Sequence, residues 1–304
     1  LLIFGIATKL TDTKGATIAV MLWSVCPAFN LESSLIHLDM PLAVFLMAGI
    51  WFLLDYRQNG IKGRLFASAI FFALAMLTKY TAPIYLMLPA AMLCVDKEKF
   101  REKRYFVVYA LIVALGFSWW LYVLMRFGSL APPNFIGLSG DAYVSPYLKS
   151  IAKRQWYYPW ALFIAFCPLV ILYVGGGLYY AGRFFLKKIN GLSFEPNSSM
   201  LVAINLASII CVIIFNFANA FTNGYWIIRH NMPMIPVVYI TLGCIISAMF
   251  DRKNPAINAY LVMLIFLTGI SMSISSFISI QNLSQLRPIP PLLFWIPGLK
   301  SLFI

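Results

Sequence analysis

The chain has 304 residues, 62% of them hydrophobic and 11% charged, with a formal net charge of +13 and a mean hydropathy of +0.84. A soluble domain of this length cannot hide so much apolar surface, so a bilayer is the expected solvent for most of it. Apolar runs without period-two alternation exclude a β-barrel, and with no basic arm or nucleic-acid motif the positive charge calls for a membrane explanation rather than a nucleic-acid partner.

The predicted fold is all-α: a polytopic transmembrane helical bundle forming one domain over residues 1–304. Its opening stretch, LLIFGIA, reads as the last turns of a helix already under way. A preceding helix and a first outer loop are therefore expected upstream of Leu1. Predicted spans follow at 16–31, 41–54, 65–77, 82–95, 105–125, 157–181, 199–219, 233–250 and 257–278. Loops 8–15, 55–64, 96–104, 182–198 and 251–256 hold 15 of the 23 lysines and arginines, which places them in the cytoplasm. The opposite, extracytoplasmic face holds three acids (Glu32, Asp39 and Asp141), both histidines, a long loop at 126–156 and the tail 279–304. Long loops gathered on one side put function on that side.

The first chemically informative stretch is SSLIHLDMP, with His37 and Asp39 two residues apart just ahead of a helix beginning at Pro41. Asp39 suits proton acceptance, a divalent metal or a polar ligand. It equally suits the start of a helix, where capping and the dipole favour a carboxylate. The next apolar run, Leu65–Val95, is too long to cross once and too short to cross twice, so two short helices are predicted to meet at TKYTAP. Residues 65–77 would reach about 20 Å as helix, against a hydrocarbon core of about 30 Å. Lys79 then ends roughly 10 Å below the outer surface, and Asp39 lies at a similar depth. A charge near mid-bilayer costs about 2.5–3.5 kcal/mol, so the two residues are expected to mark the floor of a water-filled hollow open to the outside. The structural alternative is that they pair with one another, or that Lys79 snorkels.

Further along, loop 126–156 starts at Arg126 and ends in SPYLKSIAKRQWYYPW. There Tyr147, Leu148, Ile151 and Ala152 share an apolar side opposite Lys149, Lys153 and Arg154, as in a helix lying in the headgroup plane. VGGGLYY (174–180) lacks the context of a phosphate loop, and its glycines are read as allowing close helix packing. NGYWIIRHNMPMIP (223–236) sets Tyr225, Arg229 and His230 at an outer helix mouth, where Arg229 and His230 suit an anionic group and Tyr225–Trp226 suits the interfacial aromatic belt. The five cysteines, Cys26, Cys94, Cys167, Cys211 and Cys244, lie singly within apolar runs and read as small core residues. No nucleophile set stands out.

Three of these stretches together resemble the dolichyl-phosphate-mannose protein mannosyltransferase-like family of GT-C-fold glycosyltransferases, to which bacterial aminoarabinose transferases are related. They are AVMLWSVCPAF…HLDMPLAVFLMAGIWFLL, GRLFASAIFFALAMLTKYTAP and RHNMPMIP, and the resemblance covers most of residues 16–250. It implies several short helices forming an extracytoplasmic cavity, and inverting transfer of a sugar from a polyprenyl-phosphate donor to a lipid, glycan or protein acceptor. It also implies an integral-membrane location, the plasma or inner membrane in a prokaryote. Carried onto matching positions, Asp39 is the catalytic acid of the DMP element, Lys79 the lysine of LTK and Arg229 the arginine before the prolines. His37, Arg126, Tyr225 and His230 join Lys79 and Arg229 as candidate substrate-binding residues. The family's principal carboxylate belongs to the first outer loop, expected upstream of this chain, so the chain alone is not expected to carry the complete catalytic set. No cofactor is assigned, and a divalent metal ion stays open. Two other classes compete: a transporter or lipid flippase, which would show broken helices repeated in both halves, and a non-catalytic membrane scaffold.

Overall fold

The computed structural model describes residues 1–26, 38–79, 82–95, 103–128, 170–189, 196–221, 232–250 and 254–281, and these are helical almost throughout. Helices α1 (Leu2–Leu10) and α2 (Thr13–Ser24) form a tight hairpin. Asp12 ends the turn between them by accepting the Gly15 N–H at 2.8 Å, satisfying one of the orphan donors at the start of α2. The Ser247 hydroxyl, 235 residues away, donates to the same oxygen at 2.8 Å. These two donors, the Gly15 amide first, hold the Asp12 carboxyl below its ordinary pKa.

Ser247 belongs to α10 (Ile235–Phe250), which is buried at every residue from Ile235 to Ser247 and forms the axis of the bundle. α2 crosses it where Gly15 and Ala19 face Gly243 and Ser247. A methyl group added at Gly243 would stand 2.3 Å from the Gly15 carbonyl oxygen, and one at Gly15 would stand 3.0 Å from the Gly243 oxygen. Small residues four apart on both helices let the backbones touch, which is how helices associate where lipid removes the hydrophobic drive.

Helices α3 (Asp39–Asn59) and α4 (Lys62–Thr78) pack antiparallel as the second hairpin. Its turn is made by Gly60, whose φ of 69° a side chain would strain, with the Gly60 N–H bonding Tyr56 O at 2.7 Å. Mid-hairpin, the Ser68 hydroxyl donates to Gly49 O at 2.8 Å, and Phe52 stacks on Phe71. At the turn end, Asp55 accepts from Lys9 at 2.6 Å and Arg64 at 3.1 Å, while both cations lie over the Trp51 ring. A short 3-10 helix, Ala82–Leu86, leads into α5 (Met87–Val95). The Ile84 carbonyl accepts a weak bond from the Cys211 thiol.

Helices α6 (Lys103–Leu115) and α7 (Ser118–Phe127) are joined at a 41° bend. The bend falls at Gly116, where α6 lies so close to α4 that a Cβ would sit 2.9 Å from Ala73 O. α8 (Val170–Ile189) meets α9 (Pro196–Phe221) through Gly177, whose missing side chain leaves room for Asn205. Beside it, the Tyr173 hydroxyl bonds Ser208. Gly176 and Gly177 of VGGGLYY thus serve close packing, as expected, whereas Gly175 has open space around it. Met232–Met234 is a second short 3-10 turn, and α11 (Pro255–Gln281) completes the set. An apolar cleft of about 360 Å³ opens between Met21, Leu22 and Val25 of α2 and Ile265, Phe266 and Ile270 of α11.

The architecture is the all-α, membrane-type bundle predicted. Among the described residues, Asp39–Asn59 and Asn197–Ile214 are each long and apolar enough to cross a bilayer, and the bent pair Phe106–Leu115 with Ser118–Arg126 is so only when taken as one span. Shorter apolar helices occur at Ala82–Val95, Ile235–Phe250 and Leu261–Ile270. Several span limits are corrected. The span set at 41–54 is a helix of 21 residues, because ion pairs and hydrogen bonds on Asp55 keep the polar last turn helical up to Gly60. That set at 65–77 begins at Lys62, and that set at 105–125 is broken at Gly116. Of the span set at 157–181, residues 157–169 lie outside the described residues; from Val170 the helix runs on to Ile189, so the start of the loop assigned to 182–198 is helical. In α2, the helix set at 16–31 runs over Thr13–Ser24, and 27–37 lies outside the described residues. Cys26, Cys211 and Cys244 are buried as expected, whereas Cys94 is exposed.

Candidate functional site

The α3–α4 hairpin brings two sequence-selected residues together. Asp39 is the first residue of α3, and Lys79 caps the C-terminal end of α4 with extended backbone at φ −153° and ψ 142°. Antiparallel packing sets these ends side by side, and the Lys79 ammonium donates directly to Asp39 Oδ1. Each charge also stands at the helix end whose dipole favours it, the carboxylate at an N-terminus and the ammonium at a C-terminus. The Ala82 N–H bonds Lys79 O at 3.0 Å where the 3-10 helix starts.

The pair is closed in. The Asp39 side chain is 1% exposed and that of Lys79 is 8% exposed. The described residues therefore form no open water-filled hollow around it; mutual neutralisation is what makes its burial tolerable, as in the structural alternative. From Asp39 to Asp55, α3 rises about 24 Å, short of a hydrocarbon core of about 30 Å, and both carboxylates carry cationic partners.

Arg126 lies exposed in the last turn of α7. His37, Tyr225, Arg229 and His230 lie outside the described residues, as do 129–156, which hold nearly all of the outer loop and its expected interfacial helix. No group of three or more His, Cys, Asp or Glu that could hold a metal ion comes together among the described residues. Sequence reasoning missed the Lys9–Asp55–Arg64 cluster and the Asp12–Ser247 tie. The spacing of Asp55 and Arg64 across a Gly60 turn could have suggested the first; nothing local signals the second.

Residues 1–122 match the family model described as dolichyl-phosphate-mannose-protein mannosyltransferase. The matched segment contains α1 to α6, including both members of the ion pair, and stops short of RHNMPMIP. No curated protein and no solved structure matches the chain significantly. Over residues 1–122 of 304, the resemblance read from HLDMP and LTKYTAP to the dolichyl-phosphate-mannose-protein mannosyltransferase family is thus borne out, and it supports a membrane-associated glycosyltransferase of that type.

Proposed function

We propose that the protein is an integral-membrane glycosyltransferase that moves a sugar from a polyprenyl-phosphate donor to an acceptor on the extracytoplasmic face, with inversion at the anomeric carbon. The acceptor hydroxyl attacks that carbon, and the bond to the phosphate oxygen breaks. The polyprenyl phosphate leaves with the electron pair, while the hydroxyl proton passes to a carboxylate. Lys79 stabilises the charge growing on the departing phosphate. Asp39 orients or deprotonates the acceptor. Arg229, Arg126, His230, His37 and Tyr225 are assigned to donor and acceptor binding. The observation that carries this reading is the Asp39–Lys79 pair at adjoining helix ends, inside the segment that matches the family.

The test is consumption of a radiolabelled polyprenyl-phosphate sugar by the full-length protein in proteoliposomes. Asp39→Asn should lower turnover about 10²–10⁴-fold, and Lys79→Ala about 10²–10³-fold, with membrane insertion intact. Undiminished turnover in both variants would sink the assignment. Movement of the lipid across the bilayer without consumption would instead favour a flippase.

A further inference from the structure

In the resting protein each half of the candidate site conceals the other. The Asp39 carboxylate is bonded to Lys79, and the Lys79 side chain is 8% exposed with the pair closed. A second anion therefore has no open face of Lys79 to approach. Two anions sharing one ammonium in so dry a place would also repel each other strongly.

We propose that Asp39 occupies the place of the donor's phosphate on Lys79 and is displaced by it, so that the ion pair is a latch opened by the lipid phosphate. This rests on the reading of the site as one that takes a polyprenyl phosphate. The two partners are unequally tied. Asp39 has somewhere else to go, because the first-turn N–H groups of α3 and the positive end of its dipole accept a carboxylate without Lys79. Lys79 lies past the last turn of α4, on extended backbone. Exchange replaces one oxyanion on the ammonium by another, and the released carboxylate is left to the N-terminal end of α3. The catalytic consequence is one of order: the carboxylate is released to meet an acceptor hydroxyl only once the phosphate is seated, so the base is not exposed in the absence of donor.

The latch makes an unusual prediction for a residue of the reacting set. Equilibrium binding of polyprenyl phosphate itself, without sugar, is measured on the full-length protein in lipid nanodiscs. Asp39→Asn should bind about 5–150-fold more tightly than the unaltered protein, the usual range for coupling between linked sites, while losing turnover. Lys79→Gln should lose the binding. If Lys79→Gln weakens binding but Asp39→Asn leaves it unchanged or weaker, the latch is refuted and the donor assignment stands. If neither substitution affects binding, or the unaltered protein binds none, the donor assignment falls and takes the latch with it. A second measurement needs no substitution and decides the matter should Asp39→Asn fail to insert. Labelling of Asp39 by dicyclohexylcarbodiimide, read by mass spectrometry, should be slow in the resting protein and rise when polyprenyl phosphate is added. Protection of Asp39 by the lipid would overturn the proposal.

Discussion

Asp39 and Lys79 are legible in the sequence because a charge inside an apolar run always demands a partner, a pore or a surface. Which of the three applies could not be read from spacing, since the answer depends on which helix ends adjoin. The α3–α4 hairpin resolves it by placing residues 40 apart in direct contact. Removing one member strands a buried charge, so Asp39→Leu should lower unfolding stability by about 3–5 kcal/mol. Asp39→Leu combined with Lys79→Met should recover most of that loss, since an apolar pair of similar volume needs no compensation. Steric trapping in bicelles measures both. Asp12 makes a different case, lying outside the membrane-spanning segments. Its pKa is depressed on folding, so the unfolded chain binds more protons, and stability rises with pH through the acid range. The contribution is present above about pH 3.8 and is lost as pH falls through the lower folded value. Asp12→Ala should cost about 1 kcal/mol at neutral pH, whereas Asp12→Asn keeps the cap and removes its share of the acid sensitivity.

Helices were easier to find than their limits. Apolar runs located nearly every element, but a run ends where hydropathy drops and a helix ends where its backbone bonds find another partner. The last turn of α3 shows the difference: Asp55, Arg57 and Asn59 are polar, yet the helix continues to Gly60 because those side chains are bonded to neighbours. At α6–α7 the failure is opposite. The run is unbroken, and only the close approach of Gly116 to α4 shows why the span bends. Helix contacts also sort the glycines by role. Gly243→Ala should destabilise by about 1–3 kcal/mol, because its methyl would strike the Gly15 carbonyl with no side chain to yield. Gly175→Ala, in the same residue class but with open space around it, should be neutral or stabilise by up to about 1 kcal/mol. Thermal unfolding of the two variants side by side separates contact from propensity.

For the molecule as a whole, composition was enough to give an all-helical membrane protein, and loop charge was enough to propose an orientation. That orientation predicts opposite labelling at two exposed positions. With the other cysteines replaced, Cys94 at the end of α5 should react with a membrane-impermeant maleimide only after permeabilisation, and Arg126→Cys at the end of α7 should react from outside. The reverse pattern would invert the topology and with it the face on which transfer is proposed. The candidate site was only half legible. Its acid and its base stand in one hairpin and announce themselves, whereas Arg229, His230, Tyr225 and His37 were chosen for chemistry alone and have no described geometry to test them.

The α3–α4 hairpin also bears on how the chain enters the bilayer. Asp55 meets Arg64 at one end of it and Asp39 meets Lys79 at the other, so the four charges cancel within a single stretch of forty-one consecutive residues, 39–79. That stretch holds a cation for each of its two carboxylates as soon as it is synthesised, without waiting for a later segment to supply a counter-ion. Its two arms are thereby committed to each other before the segments that follow exist.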